Sequence, residues 1–89
     1  MKLVVAIVKD SDAMDVSDAL VENDFRMTRI ASTGGFLRRG NVTLLVGVEP
    51  AQLELLFATI QAACREPDNP DEHKATCFVL PAEDFVQIG

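Results

Sequence analysis

The stretch from Phe25 to Gly47 holds the residues best suited to chemistry. Arg26, Arg29, Arg38 and Arg39 are all of the chain's arginines but one, and no acidic residue lies between Arg26 and Val48. Thr33-Gly34-Gly35 stands at the tip of an expected strand. Paired glycines let the backbone take positive φ and let another group come close to the N–H row. Arginines beside such a loop suit phosphate, because the guanidinium fork matches two phosphate oxygens. Two readings are open from these residues alone: a small anion or nucleotide site, or a hairpin turn with a solvated basic rim.

Other chemistries find little support. The formal net charge of −6 argues against general nucleic-acid binding, which needs a broadly positive face, but leaves room for one local basic pocket. The lone histidine, His73, sits in a polar connector. No nucleophile–base pair and no metal-ligand spacing is visible, so the expectation is a non-enzymatic protein without metal or cofactor. Cys64 and Cys77 lie in apolar settings without a redox or metal spacing. They read as buried free thiols of a reducing cytosol, with a disulfide as the alternative. There is no apolar run long enough to span a membrane and no signal peptide, so a cytoplasmic location is expected.

The elements that must hold Phe25–Gly47 follow from periodicity, in one domain over residues 1–89. Lys2 to Lys9 reads as a strand apolar on both faces, so neither face is meant for water. Asp10-Ser11-Asp12 reads as turn and helix cap, and Ala13, Val16, Leu20 and Val21 recur at helical spacing after it. Phe25 to Ser32 is a second strand, with Arg26, Thr28 and Ile30 on one face. Asn41 to Val48 is a third: Val42, Leu44, Val46 and Val48 make one apolar face, and Asn41, Thr43, Leu45 and Gly47 the other. Gly47 weakens a strand unless something must approach its backbone. Glu49-Pro50 opens a second helix with Leu53, Leu56, Phe57, Ile60 and Cys64 on one stripe. Residues 66–72 form a polar connector with two prolines, expected to be a solvated loop. Ala75 to Leu80 is the last strand, and Phe85, Val86 and Ile88 beyond it look too apolar to hang free.

The order β-α-β-β-α-β is the ferredoxin-like α+β pattern, a four-stranded antiparallel sheet with two helices on one face. Two helices cover only one side of such a sheet. The alternation assigns Val4, Ala6, Val8, Ile30 and Leu45 to the other side. A surface this apolar predicts cover by further copies of the chain.

These residues also resemble a known family. Met1-Lys2-Leu3-Val4-Val5-Ala6-Ile7-Val8, Asn23-Asp24-Phe25-Arg26-Met27-Thr28, Thr33-Gly34-Gly35-Phe36-Leu37-Arg38-Arg39-Gly40-Asn41 and Ala75-Thr76-Cys77-Phe78-Val79-Leu80-Pro81 are similar to the P-II-like cyclic-di-AMP receptor proteins. The Thr-Gly-Gly-Phe-Leu…Gly-Asn run is the specific part. The resemblance implies a cytosolic homotrimer that binds cyclic-di-AMP, or a related adenine nucleotide, in clefts between subunits and signals to a protein partner through loop order. By position it implies Arg26, Thr28, Gly35, Phe36, Leu37, Asn41 and Gly47 as ligand-contacting residues. The chemistry agrees: Arg26 suits a phosphate, Thr28 and Asn41 can hydrogen-bond adenine edges, Phe36 and Leu37 can pack on a base, and Gly47 admits a ligand. The alternatives are a ligand-free trimer that serves protein interaction and a P-II-type ATP/ADP sensor. Two departures stand out: Asp24 replaces the family's usual asparagine, and the long loop before the last strand is reduced to Arg65–Lys74.

Overall fold

The structure, a computed structural model, describes residues 1–30, 40–83, 86 and 88. Strand β1 spans Lys2–Lys9, helix α1 Asp10–Glu22, β2 Met27–Ile30, β3 Asn41–Val48, α2 Leu53–Ala63 and β4 Ala75–Pro81, with a short 3-10 turn over Pro50–Gln52 leading into α2. The strands form one sheet in the order β2-β3-β1-β4 with every neighbouring pair antiparallel. This is the expected ferredoxin-like arrangement, with β1 and β3 central and β2 and β4 at the edges.

The core lies between the sheet and the two helices. Val4, Ala6 and Val8 of β1, Val42, Leu44, Val46 and Val48 of β3, Ala13, Val16 and Leu20 of α1, and Leu56 and Ile60 of α2 are all buried in it. This corrects the face assigned to β1. Val4, Ala6 and Val8 point to the helices, and Leu3, Val5 and Ile7 point away. The cause is register: Val4 pairs with Val46 and Ala6 with Leu44, and directly paired residues share a face. Once β3 commits its valine–leucine face to the helices, the even residues of β1 must follow.

Two boundaries differ from the periodic reading, the starts of α1 and of β2. Helix α1 begins at Asp10 directly after β1, with no side-chain cap hydrogen bond, so Asp10 and Asp12 lie in its first turn rather than before it. There they favour the positive end of the helix. Asp12 is also buried and accepts a hydrogen bond from the Arg65 backbone N–H at 3.4 Å, which ties the start of α1 to the end of α2. Val21 falls off the helical stripe and is exposed, and Phe57 is only partly covered.

Strand β2 starts at Met27, not Phe25, because the backbone before it closes α1. The Asn23 N–H donates to the Ala19 and Leu20 carbonyls, the Asp24 N–H to Val21 and the Phe25 N–H to Leu20. Phe25 is thereby swung into the core. Asp24 takes a φ of +62°, in the left-handed region. Asn and Asp tolerate that region better than other non-glycine residues, so an aspartate replaces asparagine there without new backbone strain.

The connector before β4 is mostly exposed, as expected of a solvated loop, and surface ion pairs tie it at two points. Lys9 Nζ lies 2.9 Å from Glu72 Oε2, and Lys74 Nζ lies 2.9 Å from Glu66 Oε1. The Glu72 N–H donates to the Asn69 carbonyl. Beyond β4, Val86 and Ile88 are exposed, against the expectation of cover, and Phe85 lies outside the described residues. Both cysteines are free thiols, Cys64 buried and Cys77 half-buried, and desolvation pushes both pKa values up.

The side of the sheet away from the helices stays apolar. Across it run Leu3, Val5 and Ile7, with Leu45 on one flank and Phe78 and Leu80 on the other. Phe78 is 53% and Leu80 47% exposed. Ile30, at the far end of β2, is 41% exposed.

Candidate functional site

One end of the β2–β3 hairpin forms a groove of about 550 Å³ lined by Arg26, Thr28 and Gly47 with Met1, Lys2 and Leu45. The fold makes it as follows. Arg26 sits in the short extended link between the α1 closure and β2. Thr28 pairs with Leu45 and Gly47 pairs with Leu3, so both lie on the sheet face away from the helices. Arg26 is exposed and makes no salt bridge among the described residues. Its charge is therefore available to a ligand. Arg29, one step along the other face, is instead turned toward Asp10 at 3.8 Å.

Gly47 gives the groove its floor. A Cβ built there would meet only the Met1 sulfur, at 3.9 Å, an ordinary contact. A larger side chain therefore fits the fold but projects into the groove. Gly47→Val is expected to keep the melting temperature within a few degrees and to weaken nucleotide binding about tenfold or more, by overpacking. Calorimetric titration checks it, and normal binding by the variant would remove Gly47 from the ligand's path.

Asn41 is not in this groove. It opens β3, six residues before Gly47, about 20 Å away along the strand. It lines a second groove of about 490 Å³ with Lys9, Asp71, Glu72, His73 and Thr76. The long β2–β3 loop leaves the sheet at this same end. Gly35, Phe36 and Leu37 belong to it and lie outside the described residues. So of the seven expected contact residues the chain gathers Arg26, Thr28 and Gly47 in one place and sets Asn41 in another. Lys9 was not among the expected residues. Its only signal in the sequence is that it closes β1 opposite the expected start of β3.

Among the described residues, no group of His, Cys, Asp and Glu could hold a metal ion, and no helix is long and apolar enough to cross a membrane.

Comparison with known proteins bears on this arrangement. The sequence model of the family described as "Cyclic-di-AMP receptor" matches residues 1–70. That span includes both grooves' β1–β3 residues and most of the connector. Among solved structures, a functionally unknown protein from Pediococcus pentosaceus ATCC 25745 is similar at a TM-score of 0.76 and 37% identity, over 98% of this chain and 96% of that one. It has the same fold, including the stretch after residue 70.

Proposed function

The chain belongs to the cyclic-di-AMP receptor family, and from that membership we propose that it is a signalling receptor that binds an adenine dinucleotide in clefts between copies of itself. The observation that carries this reading is the groove in which Arg26, without a salt bridge among the described residues, Thr28 and the bare backbone of Gly47 meet. A guanidinium answers a phosphate, a hydroxyl answers a base edge, and the glycine leaves space between them.

The two-ended layout supports the inter-subunit cleft. Asn41 and the loop end of the hairpin are about 20 Å from Gly47, too far for one ligand base to touch both within a chain. A second copy laid against the uncovered sheet face brings the Asn41 end of one chain to the Arg26 end of the next. The apolar row Leu3, Val5, Leu45, Phe78 and Leu80 gives that copy a surface to bury. A closed ring satisfies every such face, and the family resemblance sets the number of copies at three, a homotrimer. In this reading the loop between β2 and β3 changes order when the cleft fills, and a protein partner reads the change.

The test is thermal. A ligand that binds only the folded protein at a hundredfold excess over its dissociation constant adds about 2.7 kcal/mol of stability. For a chain of this size that raises Tm by about 10 °C or more at fixed protein concentration. A rise with cyclic-di-AMP is expected. A rise with ATP or ADP alone would reassign the site to a P-II-type sensor, and no rise with any of them would leave an interaction trimer without a nucleotide.

A further inference from the structure

The Asn41 groove contains a cation that the expected contact set lacks. Lys9 and Asn41 are register partners at the shared end of β1 and β3, and both line the groove. Lys9 is not free. Glu72 of the shortened connector accepts a hydrogen bond from its ammonium at 2.9 Å. We propose that Lys9 is a second phosphate-contacting residue of the nucleotide site, and that Glu72 is a built-in competitor that holds Lys9 until the phosphate replaces it.

The inference rests on the receptor reading above and deepens it. A cyclic dinucleotide carries two phosphates, and the Arg26 groove offers its guanidinium to one. If a base is held at Asn41, its phosphate falls within reach of the neighbouring strand, where Lys9 stands. The ammonium has three donors, so a phosphate that joins Glu72 on it stands beside a second anion across one nitrogen. Two anions at that distance repel, and Asp71 on the same wall adds to the repulsion. Glu72 therefore weakens phosphate binding for as long as it stays, and the repulsion favours its release as the phosphate arrives. The exchange is easy because the pair is half-exposed and screened by solvent. The Glu72 hydrogen bond chiefly, with help from the charges of Asp12 and Asp68, also holds the Lys9 pKa above its ordinary value. Without Glu72 the ordinary basicity of a lysine still keeps Lys9 an ammonium at physiological pH.

The short connector explains why the competitor is present. With Lys74 paired to Glu66 and the Glu72 N–H bonded to Asn69, the connector is held over the sheet end, with Glu72 aimed at Lys9. A ligand therefore binds against an internal carboxylate as well as against water.

The experiment is a double-mutant cycle read by calorimetric titration with cyclic-di-AMP at fixed salt. Glu72→Gln keeps the shape and removes the charge, and is expected to bind about two- to fivefold tighter. Lys9→Gln is expected to bind more weakly. Glu72→Gln in the Lys9→Gln background is expected to gain nothing, because the competitor acts only through Lys9. An unchanged affinity for Glu72→Gln, or the same gain without Lys9, overturns the competitor while the receptor reading stands. Binding by Glu72→Gln but not by the wild type supports the competitor and shows a site held shut. Binding by no variant takes both readings down.

Discussion

Arg26→Ala is expected to lower the affinity for cyclic-di-AMP by about ten- to a hundredfold, the range set by losing a charge-assisted hydrogen bond in a partly desolvated site. The fold should hardly notice. Arg26 lies outside the strand, is exposed and supports no salt bridge among the described residues, so its removal should change stability by about 0.5 kcal/mol or less. The pairing of a large binding loss with an unchanged melt separates a ligand contact from a structural role. Titration of the folded variant gives the first, and a thermal melt without ligand gives the second. Equal affinity in variant and wild type would take Arg26 out of the site.

Phe78→Asp is expected to break the assembly. Phe78 stands on β4 opposite Val5, on the sheet face away from the helices, and is 53% exposed in the single chain. If copies meet on this face, the change sets one carboxylate per copy into an apolar, closed interface. Burying an unpaired charge costs several kcal/mol, so association should weaken about a thousandfold or more. The hydrophobic core lies on the other side of the sheet, so the variant should keep its circular dichroism while its mass by light scattering falls to that of one chain. A wild type that is already a monomer at micromolar concentration, or a variant that keeps the wild-type mass, would mean that this face is not the interface.

The fold was legible wherever one face of an element differed from the other. In β3 the set Val42, Leu44, Val46 and Val48 contrasts with Asn41, Thr43, Leu45 and Gly47, and the buried side followed directly. In β1 both faces are apolar, so the alternation carries no sign. Only pairing with β3, a contact about 40 residues away in sequence, decides that Val4 and not Val5 meets the helices. Phe25 was misread for a related reason. Its side chain fits a strand, but its N–H is taken by the Leu20 carbonyl in closing α1. Local propensity does not reveal that competition.

The candidate site is legible in its residue types and not in its geometry. Arg26, Thr28 and Gly47 converge because strand pairing aligns them; the arginine announced itself as one of a cluster in an acidic chain, and the glycine by lying inside a β-branched strand. Asn41 belongs to the same motif yet stands at the opposite end of the hairpin, which a linear motif hides. Lys9 gave even less signal. Its partner Glu72 is 63 positions away, in a connector whose composition reads as plain solvated loop. Only the fold brings the two together.

The claim that each nucleotide site is shared between neighbouring copies is tested most directly by mixing damaged chains. Chains carrying Arg26→Ala and chains carrying Asn41→Ala are combined in equal amounts, unfolded, refolded together and titrated with cyclic-di-AMP. If one copy supplies Arg26 and its neighbour supplies Asn41, random assembly restores full affinity to about a quarter of the sites, although neither parent has any intact site. A mixture that binds no better than its two parents, at any ratio, would mean that Arg26 and Asn41 do not serve one site from two chains.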